Sequence, residues 1–195
     1  MNILDANLYE GTCYRLADNW FSFIDVESYM DHPINYLEIG AHYGANVISV
    51  ANTYASHPYS RLYAIDPWED YDEYDEYVGK QKNIYDTYIS NLERAGVKDK
   101  INTIRGYSHK ETQTFPDAFF DIIYVDGNHD KDYVMEDAVN SFRKLKKGGF
   151  IIFDDYGWCD REDFKIGLDS FLVAYEDRTE VLGVLNSQKF VRKTR

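Results

Sequence analysis

Apolar and polar residues follow one another along this chain in two periods, and the changes of period mark out its elements. Short apolar runs predict strands at Tyr36–Ile39, Arg61–Ile65, Ile101–Arg105, Phe119–Val125 and Phe150–Phe153. Helical spacing fills the intervals between them. Leu16, Trp20, Phe23 and Ile24 fall at i, i+4, i+7 and i+8, predicting an amphipathic helix over Thr12–Met30 that Pro33 ends. Ala45–Tyr54 is helix-compatible, and His57-Pro58 marks the turn after it. Ile84, Tyr88, Ile89 and Leu92 predict a helix over Gln81–Arg94 with Gly96 at C′. Val134, Ala138, Phe142 and Leu145 share one face of a helix over Tyr133–Leu145, which Gly148-Gly149 is expected to stop. A last helix is expected over Arg161–Tyr175. Glu180–Leu185 and Gln188–Arg192 then flank the two-residue gap Asn186-Ser187, as in a hairpin.

Strands alternating with helices imply an α/β open sheet. The expectation is a Rossmann-like sheet of about seven strands, mostly parallel, with a C-terminal antiparallel hairpin and helices on both faces. One domain is expected over residues 1–195, with a helical cap at 1–33 and the ligand-binding core at 34–195. The stretch Asp66-Pro67-Trp68-Glu69-Asp70 through Tyr77 breaks the pattern, since acids alternate there with aromatics and no apolar period survives. It reads as a lid or rim beside a binding site.

Composition narrows the partners. A chain of 195 residues, 44% hydrophobic, suits one full core, and its net charge of −13 counts against a nucleic-acid partner. Arg143-Lys144-Lys146-Lys147 reads as a helix C-terminus, where cations suit the dipole, and Arg192-Lys193-Arg195 as a chain end. Cys13 and Cys159 make neither a disulfide framework nor a metal pattern and suit a reducing compartment. No apolar run approaches the ~18 residues of a membrane span and no signal peptide is legible, so a cytoplasmic protein without membrane contact is expected. A homodimer is left open.

The chemistry begins at the first strand. Its apolar run carries Glu38 and leads into Gly40-Ala41-His42-Tyr43-Gly44-Ala45-Asn46, a tight turn into a helix whose N-terminus faces a ligand. Asp66 closes the second strand 22 residues beyond Gly44, near the ~20 expected of an acid that grips a ribose. His42 stands where a dinucleotide site has its middle glycine, the one that lets a pyrophosphate approach the backbone. This substitution argues for a nucleoside ligand without phosphates. Glu38 agrees, because a carboxylate there would repel a pyrophosphate but could hold a cationic amino group. Trp68 could stack on an adenine, and Gly106-Tyr107-Ser108 follows the third strand where a purine would lie.

Four strands end on acids: Glu38, Asp66, Asp126 and the pair Asp154-Asp155. Clustered carboxylates raise one another's pKa unless cations are near. Asp126, Asp154 and Asp155, at the ends of neighbouring strands, are hard oxygen ligands that suit Mg2+ or Mn2+. Some of these acids could instead cap helices: Asp126 or Asp130 before Tyr133, and Asp155 or Asp160 before Arg161. His129 lies one turn past Asp126 and could serve as a base.

The glycine turn, Glu-x-Gly-x-x-x-Gly, resembles the first motif of class I S-adenosylmethionine-dependent methyltransferases. Residues 121–158, Asp-Ile-Ile-Tyr-Val-Asp-Gly-Asn-His-Asp through Phe-Asp-Asp-Tyr-Gly-Trp, resemble the metal-dependent small-molecule O-methyltransferases. Both the catechol and caffeoyl-coenzyme A type and the branch acting on sugars are similar; the likeness covers about residues 34–192. It implies S-adenosylmethionine as cofactor, held by Glu38, Gly40, Ala41, His42, Tyr43, Gly44, Asn46, Asp66, Trp68, Gly106, Tyr107, Ser108 and Asp126. It further implies a divalent metal on Asp126, Asp154 and Asp155. Within that likeness Asp66 falls on the ribose and Ser108 near the adenine. The catechol type often carries Asn at the last metal position, so Asp155 looks more like the sugar-modifying branch. That type also has a lysine base where this chain has His129.

The activity so implied is methyl transfer to a small-molecule or saccharide hydroxyl, with His129 and Asp126 catalytic. His129 would take the hydroxyl proton, helped by a pKa near neutrality. The acceptor would be covered by residues 1–30 and 67–80, with Tyr14 and Arg15 as candidate contacts. Three other readings compete, and one of them, a nucleic-acid methyltransferase, is opposed by the acidity and by the lack of an Asn/Asp-Pro-Pro-Tyr motif. An NAD-linked Rossmann oxidoreductase lacks support from the missing glycine and the absent Tyr-x-x-x-Lys pair. A non-catalytic nucleoside-binding domain leaves the set of strand-end acids unexplained.

Overall fold

The computed structural model describes residues 16–71, 73, 75–157 and 162–195. Cys13, Tyr14, Arg15, Trp158, Cys159, Asp160 and Arg161 lie outside the described residues, as does the start of the expected N-terminal helix. Five strands follow in parallel: β1 (Asn35–Ile39), β2 (Arg61–Asp66), β3 (Ile101–Arg105), β4 (Phe120–Val125) and β5 (Leu145–Phe153). β6 (Thr179–Leu185) and β7 (Gln188–Lys193) close the sheet as an antiparallel hairpin, and β7 inserts beside β5. The order is β3-β2-β1-β4-β5-β7-β6. It reverses between β1 and β4, where open α/β sheets place their ligands.

The two faces of the sheet carry separate apolar layers, because successive strand residues point to opposite sides. Tyr36 of β1 enters one layer with Trp20, Val47, Ile84, Tyr88 and Leu92, from the N-terminal segment, α2 (Ala45–Ala51) and α3 (Gln81–Ala95). Leu37 and Ile39 enter the other with Val134, Ala138, Phe142, Phe164 and Leu168, from α5 (Lys131–Lys144) and α6 (Glu162–Ala174). Two short helices complete the chain: α1 (Glu27–Met30) before β1 and α4 (Ser108–Glu111) after β3.

Two expected elements differ. The single N-terminal helix is instead a 3-10 helix over Leu16–Ser22 followed by α1. The break lies at Asp25, whose carboxylate takes the Glu27 N–H at 3.1 Å and restarts the helix. Trp20 and Ile24 are nonetheless buried as the spacing required. The second difference is the end of α5, which comes at Lys144 and not at Gly148-Gly149. Ala118 and Phe119 N–H groups take the carbonyls of Arg143 and Lys144, at 3.0 and 2.7 Å. Lys193 Nζ takes those of Phe142 and Leu145, at 2.8 and 2.7 Å. With its last carbonyls satisfied from outside, the helix needs no glycine cap. The chain passes directly into β5, and the glycine pair lies within that strand.

Candidate active site

The turn after β1 is fixed from three sides. Gly40 has φ +83, and a Cβ there would lie 1.7 Å from the carbonyl oxygen of Asp126. The turn therefore touches the end of β4, and only glycine fits. Gly44 has φ +84, and its Cβ would meet the Tyr88 ring at 2.9 Å. Between them His42 sits at φ +45 without being glycine. Asp66 explains how. Its Oδ2 accepts the His42 N–H at 2.9 Å and its Oδ1 the Trp68 N–H at 2.8 Å, while Trp68 Nε1 donates to the His42 carbonyl at 3.1 Å. Both main-chain groups of His42 are thus held by the end of β2.

Trp68 is accordingly not the stacking platform expected of it. The indole is 3% exposed, with Tyr85 and Tyr88 rings at 4.9 and 4.8 Å, so no adenine can reach its face. Among the described residues, Tyr107 is an aromatic left open on this rim. It is 44% exposed, and its hydroxyl donates to Glu69 at 2.9 Å, joining the loops after β3 and β2. Beside it, Ser108 opens α4, and burial pushes the Asp137 carboxyl up to about 7.

Glu38 is 1% exposed. It accepts hydrogen bonds from the Tyr36 hydroxyl at 2.6 Å and from Asn46 Nδ2 at 2.9 Å, yet burial pushes its pKa up to about 7. Asn46 also donates to the Tyr36 hydroxyl at 2.8 Å. It is buried, and its amide nitrogen serves Glu38 and Tyr36. Ala41 is buried, His42 and Tyr43 are half-buried, and burial depresses the His42 imidazole to about 4. Asp66 is half-buried, and burial raises its carboxyl despite the two N–H groups and the nearby Arg105.

The second group of acids forms at β4 and β5, which are paired at Val125 and Phe153. Asp126 Oδ1 and Asp155 Oδ2 lie 3.9 and 2.8 Å from His129 Nε2. One ligand atom from each of Asp126, His129 and Asp155 falls within 4.8 Å of the others. Asp155 is held at φ +57, so the chain accepts a strained backbone to aim this side chain. The expected third ligand, Asp154, stands beside this trio. Its Oδ2 accepts the Tyr124 hydroxyl and its Oδ1 the Asp155 N–H at 2.9 Å. Burial raises Asp126 well above the usual carboxylate range, and the charges of Asp154 and Asp155 add to it. Asp130 precedes α5 without a side-chain cap bond, and the expected cap Asp160 lies outside the described residues.

The sequence did not single out Glu73. Its carboxylate Oε1 lies 2.5 Å from His129 Nδ1, and both side chains are about nine-tenths buried (10% and 8% exposed). Burial alone would lower the His129 pKa. Contact with Asp155 and Glu73 and the charge of Asp126 outweigh it and push the imidazole up to about 10. Packed among these carboxylates, the imidazole favours its cationic form, above the near-neutral pKa expected of a base. The acids require positive charge, and the chain supplies one.

A sequence family described as a methyltransferase domain matches residues 37–156, from β1 to just past the Asp154-Asp155 pair. The chain belongs to the methyltransferase-domain family. A curated relative, the uncharacterized protein R132 of Acanthamoeba polyphaga mimivirus, is 33% identical over 76 residues, 34% of each chain, so the match spans about a third of that relative's length. An O-methyltransferase from Bacillus cereus in complex with SAH has a TM-score of 0.62 at 20% identity, over 83% of this chain and 74% of that one. A putative rRNA-methylase from Clostridium thermocellum scores 0.66 at 11% identity, over 87% and 92%. MycE methyltransferase of the mycinamycin biosynthetic pathway, in complex with Mg and SAH, scores 0.61 at 18% identity, over 95% of this chain and 51% of that protein. These likenesses give the fold of class I S-adenosylmethionine-dependent methyltransferases. Within it, the methyltransferase-domain chain described here places its glycine turn and its carboxylate cluster side by side at the switch point. Among the described residues, no helix is long and apolar enough to cross a membrane.

Proposed function

We propose that this methyltransferase transfers the methyl group of S-adenosylmethionine to a hydroxyl of a small acceptor, with a divalent cation, Mg2+ or Mn2+, at Asp126, Asp154 and Asp155. The observation that carries this reading is the meeting of Asp126, His129 and Asp155 within 4.8 Å, beside the turn held by Gly40 and Asp66. Asp126 and Asp154, whose carboxyls are raised by burial and by neighbouring carboxylate charge, form with Asp155 a donor set for a hard cation. The Mg bound with SAH in MycE supports the same choice.

The cofactor supplies the methyl group, and the cation supplies Lewis acidity at the acceptor oxygen when both are bound. The rest is the work of the chain's own residues. Glu38 offers a buried, hydrogen-bonded carboxylate to an ammonium group. Asp66 keeps the glycine turn in place and retains lone pairs for ribose hydroxyls. Tyr107 and Ser108 border the purine end. Glu73 holds Nδ1 of His129, leaving Nε2 as the nitrogen that faces the Asp126–Asp155 side and the acceptor proton. A cation held by Asp126 and Asp155 would compete with the imidazolium for these carboxylates and so favour the neutral form of His129. Orientation of this kind can supply roughly 7–11 kcal/mol of the barrier.

The acceptor reading is a saccharide or similar hydroxyl-rich molecule, supported by the polar, acidic rim over residues 67–80. SAH release should be assayed against phenolic, catecholic and glycoside acceptors with and without EDTA. Turnover that stops in EDTA and returns with Mg2+ supports the proposal. Full turnover in EDTA overturns the metal's part. Methylation of RNA with none of any hydroxylated small molecule overturns the acceptor class.

A further inference from the structure

Four side chains from distant parts of the chain form one hydrogen-bonded line that ends on Asp154. Asn186 Nδ2 donates to Asn19 Oδ1 at 2.7 Å, and Asn19 Nδ2 donates to Gln188 Oε1 at 3.3 Å. Gln188 Nε2 donates to the Tyr124 hydroxyl at 3.1 Å, and that hydroxyl donates to Asp154 Oδ2. Gln188 and Tyr124 are each 1% exposed, and the Trp20 ring lies 5.7 Å from the Tyr124 ring.

The line has a direction. An ionised carboxylate only accepts, so Tyr124 must donate to it. The hydroxyl oxygen then accepts, so Gln188 must present its nitrogen there and its oxygen to Asn19. Each orientation is thereby set by the acid at the end. A phenylalanine would fill the space of Tyr124, but the buried hydroxyl is there with a donor on one side and a carboxylate on the other. Such a group is costly unless it is fully paired.

We infer that Tyr124, backed by Gln188, is the positioning residue for Asp154, fixing the rotation of its carboxylate beside Asp126 and Asp155. Through Asn19 the same line ties the N-terminal segment to the cation site. This inference rests on the proposed cation site. It goes beyond that site in assigning part of the metal affinity to a phenol and an amide that are not among the proposed ligands.

The test uses the full chain loaded with SAH and measures Mn2+ uptake by electron paramagnetic resonance. Wild type, Tyr124→Phe and Gln188→Met are compared, with SAH affinity measured on each as the check of folding. Loss of a partner that orients a metal ligand typically weakens metal binding about 10–100-fold. That weakening is expected for Tyr124→Phe, a smaller one for Gln188→Met, and wild-type SAH affinity for both. Tyr124→Phe that binds SAH and takes up Mn2+ as tightly as wild type overturns the inference. If Tyr124→Phe binds no SAH, Gln188→Met decides by the same criterion. Wild-type protein that takes up no Mn2+ overturns the cation site itself, an outcome distinct from equal uptake by wild type and variants.

Discussion

Glu38→Gln tests whether the acid under the glycine turn is held in readiness for a cation. Glu38 is buried, and its pKa is pushed from 4.5 to about 7. Between these values the folded state holds a proton that the unfolded state has released. Stability therefore falls as pH rises through this window. At 1.36 kcal/mol per pH unit, the fall amounts to about 2–3 kcal/mol between pH 5 and pH 8. Glutamine cannot titrate, so the variant lacks this contribution. It brings a constant cost of its own, since an amide N–H replaces a lone pair near Tyr36 and Asn46. Urea denaturation of both ligand-free proteins at pH 5, 6, 7 and 8 separates the two effects. The stability difference between variant and wild type should move by about 2–3 kcal/mol in the variant's favour across the range. Asp137, also pushed up to about 7, titrates in both proteins and cancels. SAH, which carries an ammonium group, should bind wild type more tightly as pH rises through 7 and bind the variant weakly at every pH. Parallel stability profiles, together with equal SAH affinities, would refute the reasoning.

Other outcomes follow from the same geometry. Gly40→Ala combines a left-handed backbone with a Cβ 1.7 Å from the Asp126 carbonyl. Strain and overpacking of about 1–3 kcal/mol each should lower the melting temperature markedly, and a variant that melts like wild type would contradict the close contact. Trp68→Phe keeps an aromatic face but loses the N–H to His42. It should lose about 1 kcal/mol of stability and bind SAH more weakly; wild-type values for both would mean that the indole does not hold the turn. Glu73→Gln should lower turnover far more than SAH affinity, and should change little in a His129→Ala background. Additive losses in that double variant would separate Glu73 from His129.

Much of the sheet was legible because its signals are local. The bounds Ile101–Arg105 read from the apolar run are those of β3. Asn186 and Ser187, at φ 49 and 61, form a hairpin turn with both central residues left-handed, as a two-residue gap between strands implies. The acids stood out because apolar strands need none at their ends. What the pattern could not carry was the identity of long-range partners. Glu73 meets His129 across 56 residues of sequence. Lys193, at the end of β7, takes carbonyls at the end of α5, and Asp66 and Trp68 hold His42 from the end of β2 and the loop after it. No periodicity encodes such donors. Trp68 was misread for the same reason: a tryptophan after a strand end is equally suited to stacking on a ligand and to locking a turn, and only burial distinguishes the two. The alternation of acids and aromatics over 67–77 was the one available signal for Glu73. It located the rim but not the residue.

The central claim is that the acids along this rim accept two positively charged guests, the cofactor and a divalent metal. A crystal of the full chain grown with SAH and Mn2+ tests it most directly, through an anomalous difference map. The account predicts a peak at bonding distance from the carboxylates of Asp126, Asp154 and Asp155, with SAH lying along the turn from Gly40 to Gly44. SAH bound there with no peak at these carboxylates, or a peak elsewhere, would contradict it.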